Sequence, residues 1–252
     1  MVLLTQFLFR LALGLAAGMA ITSPRVVGSG YFRNHLYVLL GLNVLAALVA
    51  VGDAEGRFLV WLPIAGAVVS YVGSVCWLYE RPRAGVAALW IVAGLALAAA
   101  WLSAPLPDNA TPAALAMHRL EMAGSGMLLG ATMAAMLLGH WYLNSPGMKL
   151  APLRRLVALM GAAVAFRAAL SGAGLAAEIS ITGLPDTRWM LFILLRWLAG
   201  LVGTAVVVVL TWQTLKIPNT QAATGMLYVG VITTFLGELT AMLLSAETAF
   251  PL

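Results

Sequence analysis

AALAMHRLEMAGSGMLLGATMAAMLLGHWYL, Ala113 to Leu143, is an apolar run that nevertheless carries two histidines, an arginine and a glutamate. At 100° per residue, His118, Glu121, Ser125, Thr132, Met136 and His140 share one stripe of a helix, and the opposite face offers only Leu, Ala, Met and Gly. A segment long enough to cross a bilayer thus carries a polar spine. The rest of the chain reads as arranged around it.

Hydrophobic residues make up 62% of the chain and charged residues 9%, and the mean hydropathy is +0.98. A soluble domain carries roughly a quarter charged residues, so the composition is that of a multi-pass membrane protein. Windows near the ~20 residues needed to cross about 30 Å of hydrocarbon recur at 3–22, 32–51, 58–79, 84–104, 113–143, 154–177, 189–215 and 221–245. The expected class is all-α with eight transmembrane helices. The connections are too short to house an ATPase, a nucleotide fold or a nucleic-acid reader, so any chemistry belongs to the bundle or to partner subunits.

The net charge of +5 follows the loops. Taken alternately, one side holds Arg25, Arg33, Arg81, Arg83, Lys149, Arg154, Arg155 and Lys216, and the other holds Arg57 and Arg188. This positive-inside bias places both termini outside the cytoplasm, in a cell's inner membrane, with the lipid bilayer as the first partner. Trp61, Trp101 and Trp189 at outer ends and Trp77, Trp141 and Trp212 at inner ends read as headgroup anchors. A lone cysteine, Cys76, excludes a disulfide framework and a thiolate metal cluster. Arg10 interrupts the first apolar run, which lacks a basic leader, so it reads as a retained first helix.

Gly14 and Gly18 in the first helix have the small-xxx-small spacing that lets helices approach closely in lipid. Ser23-Pro24 and Ser145-Pro146 each lead through glycine and basic residues into an apolar helix, and Trp77 before Pro82 parallels Trp212 before Pro218. These echoes suggest two tandem four-helix halves in parallel orientation, 1–104 as scaffold or partner surface and 105–252 as the half with the site.

The basic residues outside the loops are Arg10, Arg119, Arg167 and Arg196, and with Glu121 and Glu238 they fall at similar depths, roughly 9–17 Å below the outer face at 1.5 Å per residue. An ionised side chain near mid-membrane costs about 2.5–3.5 kcal/mol on insertion scales, and such groups pair with one another or face wet cavities. Four arginines against two glutamates leave a surplus of positive charge. A cationic pocket of that kind suits an acceptor-rich guest such as a quinone carbonyl, a haem propionate, a lipid phosphate or a transported anion; Arg-Glu pairing that only fixes helix packing is the simpler alternative. His118 beside Glu121 is a proton-accepting pair. His35 and His140, both near the inner face, are candidate axial ligands of a b-type haem, or else interfacial histidines bonded to headgroups and carbonyls.

No metalloprotease, phosphate-loop or nucleophile-elbow motif is present. The four-plus-four plan is similar to that of haem-containing or quinone-reactive anchor subunits, a likeness of architecture with no matching motif. The expected function is a membrane subunit of a respiratory or other redox complex, with partner redox subunits and a quinone site in the outer half of helices 5 to 8. Arg167 and Arg196 would hold the quinone oxygens, His118 and Glu121 would take protons, and Glu238 would position the arginines, with Arg119 and Arg10 at the margin. An anion or proton-coupled transporter and a structural or assembly subunit are the alternatives.

Overall fold

The computed structural model describes residues 2–52, 57–104, 111–145, 147–217 and 219–252, without the side chains of Arg57 and Phe58; Pro146 and Pro218 of the suggested repeat lie outside them. Within the described residues the chain is all helix, and its eight long apolar helices are α1 (Val2–Ala20), α2 (Ser29–Val51), α3 (Trp61–Leu78), α4 (Pro82–Leu102), α5 (Pro112–Asn144), α6 (Ala151–Thr182), α7 (Thr187–Lys216) and α8 (Thr220–Ser245). Local chemistry sets several starts. Thr111, Asp186 and Asn219 cap the backbone N–H of Ala114, Trp189 and Ala222, and Pro82, Pro112 and Pro152 occupy first turns, where no amide donor is needed. The helix α7 is not regular: Arg196–Val202 forms a π-helical turn between two α-helical pieces.

The helix contacts fall into two groups of four. In the first four, α1 touches α2 and α4, and α3 touches both α2 and α4; in the second four, α5 touches α6 and α8, and α7 touches both α6 and α8. The groups are joined mainly by α1 against α5. These two are 78% buried over their apolar windows, against 33–50% for the others, so they form the axis of the molecule.

Glycine sets that contact. A methyl group built on Gly14 of α1 would stand 1.8 Å from the Gly126 carbonyl oxygen of α5, and one on Gly130 would stand 1.8 Å from the Gly14 carbonyl carbon. No side chain fits, and backbone meets backbone, as in small-xxx-small crossings in lipid. A second crossing of this type brings Gly200, in the π turn, against Gly237 of α8.

Trp77 corrects the anchor reading. It is 3% exposed and stacks on Phe32 with centroids 4.1 Å apart and planes 7° from parallel, over Gly85. It is a core residue between α2, α3 and α4, whereas Trp61, Trp101 and Trp212 are exposed at helix ends. The segment 246–252 folds back at the end of the bundle opposite the basic loops, with Phe250 N donating to Glu178 Oε2 at 3.2 Å and Leu252 N donating to Ser245 Oγ at 3.0 Å.

Candidate functional site

Five of the six charges expected at one depth meet in a single chain of alternating sign. Arg10 of α1 donates through Nη1 to Glu121 Oε1 of α5 at 2.7 Å. Arg167 of α6 approaches the same oxygen with Nη2 at 3.2 Å and grips Glu238 of α8 in a fork, Nε to Oε1 at 3.2 Å and Nη2 to Oε2 at 3.0 Å. Arg196, at the start of the π turn in α7, closes the chain with Nη1 3.1 Å from Glu238 Oε1. Five spans therefore each contribute one charge to Arg10–Glu121–Arg167–Glu238–Arg196. With all members ionised, three positive charges face two negative ones.

The positions follow from helix geometry. Glu121 and Ser125 lie one turn apart on the stripe of α5 that faces α6 and α8, and Arg167 and Ser171 lie one turn apart on α6. Arg196 reaches Ser171 Oγ at 3.5 Å, the long limit of a hydrogen bond. Both Arg167 and Arg196 are at most 1% exposed. Even so the network is not saturated: Arg10 Nε, Arg167 Nη1 and Arg196 Nε are buried with no hydrogen-bond partner among the described residues. A guanidinium fork supplies five N–H groups, and two carboxylates cannot receive all those of three arginines.

One end of the ion chain borders a cavity. A cavity of about 40 Å³ lies beside Arg10 and Glu121 and is further lined by Gln6, His118, Met122 and Met242. Its volume admits water but not a quinone ring. Among the described residues no donor is bonded to Glu121 Oε2, and Gln6 Oε1 is buried without a partner. His118 is buried at this cavity, with Nε2 3.1 Å from the Ala249 carbonyl in the folded-back segment. A carbonyl only accepts, so Nε2 carries hydrogen and the neutral ring leaves Nδ1 as a proton acceptor.

Other expected site residues stand apart. Arg119 is exposed on α5, its carbonyl accepting from Trp101 Nε1 at 3.4 Å, and it takes no part in the chain. His35 is buried near the basic end, its Nδ1 2.6 Å from the Tyr31 carbonyl and its ring beside Tyr31 and Trp141. His140 leaves the buried stripe of α5 for an exposed position, with Nδ1 3.4 Å from the Tyr228 hydroxyl. The stripe itself is buried from His118 to Met136.

Three features escape a reading by composition and depth: the π turn that carries Arg196, the 246–252 segment that holds His118, and a cluster of threonines deeper in the second half. The threonine spacing is a usable signal, since Thr204 and Thr211 are seven residues apart on one face and Thr233-Thr234 sits one turn from Glu238. No protein-family model matches this chain, and comparison with curated proteins and with solved structures gives no match, so its function has to be read from these side chains.

Proposed function

We propose that the protein moves protons across the membrane, as the proton-carrying part of a transporter or of a larger assembly, with Glu121 as the group that takes the proton from the end opposite the basic loops. The observation that carries this reading is that Glu121 belongs at once to the water-sized cavity and to the buried ion chain. Intramembrane ionisable groups of this kind characteristically mark ion paths and proton relays.

The chemistry follows from the atoms. His118 and Glu121 both line the cavity, so a water there would have an imidazole and a carboxylate as acceptors. A proton on Glu121 cancels one negative charge and leaves Arg10 and Arg167 facing each other across a neutral acid, which raises the net charge of the chain and favours passing the proton on. The arginines do not carry it, because a guanidinium keeps its protons in a protein. The next carboxylate is Glu238, held on the same Arg167 Nη2 at 3.0 Å as Glu121 is at 3.2 Å. Arg167 is thereby the bridge that keeps the two acids within one water of each other.

Purified protein in vesicles, with an imposed potassium diffusion potential and an internal pH dye, is expected to show protein-dependent proton flux. Glu121→Gln should lower that flux at least tenfold, and His118→Ala, outside the ion chain, should lower it several-fold without disturbing the fold. Wild-type flux no greater than that of empty vesicles overturns the reading.

The quinone-linked redox reading draws support from the unpartnered donors on Arg167 and Arg196. Those donors are fully buried, and the cavity beside the ion chain, about 40 Å³, has no room for a quinone ring, which is why proton transfer is preferred. For haem, His35 has the needed polarity, its Nδ1–H held by a carbonyl and its Nε2 without a hydrogen-bond partner among the described residues. A dithionite-reduced minus oxidised optical spectrum decides between them: a b-type band lost in His35→Ala would establish the redox reading, and a flat spectrum would remove the haem.

A further inference from the structure

Towards the basic end from the ion chain lies a second polar cluster that contains no titratable group. Thr132 of α5, Thr204 of α7 and Thr233 and Thr234 of α8 bring four hydroxyls together: Thr204 Oγ1 is 3.0 Å from Thr233 Oγ1 and 3.3 Å from Thr234 Oγ1, and Thr234 Oγ1 is 3.4 Å from Thr132 Oγ1. Thr132, Thr204 and Thr234 are at most 1% exposed.

The usual role of a threonine in a membrane helix is to bond back to a carbonyl of its own preceding turn. Thr132 and Thr233 do so, donating to Leu128 O at 2.8 Å and Gly230 O at 3.1 Å. Thr204 and Thr234 donate to no carbonyl among the described residues; their hydroxyls meet only other hydroxyls. With the protons of Thr132 and Thr233 committed to the backbone, those of Thr204 and Thr234 have three contacts to serve, so one contact always lacks its proton. The cluster has more than one arrangement of equal chemistry, in which Thr204 points to Thr233 or to Thr234 and Thr234 points to Thr132 or to Thr204. Two of the three separations are also long for hydroxyl pairs, which centre near 2.7–2.8 Å.

The cluster continues in both directions. Ser125 is fully buried beside the Glu238 carboxylate, to which its hydroxyl can donate, and Thr211, one heptad beyond Thr204 on α7, is fully buried with no hydrogen-bond partner for its hydroxyl among the described residues. Leaving such a group unsatisfied costs about 1–3 kcal/mol, a cost that a buried water removes. From Arg196 through Thr204 to Thr211 the column runs about 22 Å along α7, ending five residues short of Lys216 at the basic end.

We infer that this hydroxyl column, joined by water, is the second half of the proton path and leads from Glu238 to the basic face. This rests on the proton-carrying role given to Glu121. Each step is a balanced exchange: a hydroxyl oxygen accepts a proton on a lone pair, its own O–H bond breaks towards the next oxygen, and rotation about the C–O bond resets it. No oxidant or reductant enters. The π turn at Arg196–Val202 ends two residues before Thr204, and a π turn shifts the helical register of the residues that follow it.

Two measurements test it. In the vesicle assay, Thr204→Val and Thr234→Val, which exchange a hydroxyl for a methyl, are expected to cut the flux at least tenfold while eluting as wild type, and Thr240→Val, whose hydroxyl bonds back to Leu236 O, should leave it unchanged. In a Cys76→Ser background, Thr204→Cys and Thr211→Cys should react with a small water-soluble thiol reagent applied at the basic face, and Val209→Cys, on the exposed apolar side of α7, should not, because the thiolate forms only where water reaches. Flux that falls in Glu121→Gln yet is untouched in both valine variants overturns this inference alone, as does labelling of the threonine positions no faster than Val209→Cys. No flux in the wild type overturns both readings.

Discussion

Arg167→Leu is expected to leave almost no folded protein in mild detergent, and Arg196→Leu to be tolerated far better, although both arginines are equally buried. Arg167 is the central link, touching Glu121 and holding Glu238 in a fork. Without it Glu238 keeps only Arg196 and Glu121 keeps only Arg10, and the chain splits into two pairs with a leucine between them. Removing one member of a buried ion pair costs about 3–5 kcal/mol, because the charge left behind has neither water nor a partner. In a chain of this length that corresponds to a fall in melting temperature on the order of 10 °C. Arg196 sits at the end, and its removal leaves Glu238 in the fork of Arg167 and brings three positive charges against two into balance. Arg167→Lys belongs between them, since an ammonium keeps the charge but not the fork. The check is the fraction of monodisperse protein and its melting curve across the three variants. Equal losses for Arg167→Leu and Arg196→Leu would show that burial alone, and not position in the chain, sets the cost.

The second large effect concerns glycine, where helix propensity and packing predict opposite signs. Replacing a helical glycine by alanine favours the helix by roughly 1 kcal/mol. At Gly41 and Gly94, where an added methyl group meets nothing within 4 Å, Gly→Ala should leave stability unchanged or raise it by about that amount. At Gly130 the same methyl group would lie 1.8–2.2 Å from the backbone of Gly14 and Leu15. No rotamer relieves a clash between backbones, so α1 must move away from α5 as a unit. That motion also stretches the 2.7 Å contact of Arg10 with Glu121. Gly130→Ala is therefore expected to cost more than the ~1–3 kcal/mol of ordinary overpacking, to separate the two halves and to abolish proton flux. Limited proteolysis of the connection between α4 and α5, compared with Gly94→Ala, reads out that separation. A Gly130→Ala protein as stable as Gly94→Ala would mean that the α1–α5 crossing is looser than described.

The spans were legible because the requirement they meet is one-dimensional: a helix in hydrocarbon must be apolar for about 20 residues, and a loop beside it carries its charges openly. The charges of the site were legible for the same reason. Arg10, Glu121, Arg167, Arg196 and Glu238 are so costly in lipid that their presence implies partners, and alternating directions give their depths. Arg119 has the same cost and nearly the same depth as Glu121 but faces outward, because neighbours in sequence lie 100° apart around a helix and depth says nothing about direction.

From its sequence alone this chain is determined to be an eight-helix membrane protein with a polar spine on the fifth span and ionic partners on four others, since hydropathy and insertion cost act residue by residue. Only the tertiary structure decided which nitrogen grips which oxygen, that α1 shares the central position with α5, that α7 carries a π turn, that Trp77 is core, and that a water-sized space and a threonine column flank the ion chain. Each of these depends on how helices rotate and cross. Backbone contact at a few glycines fixes those rotations, and a single sequence encodes them only as the absence of a side chain.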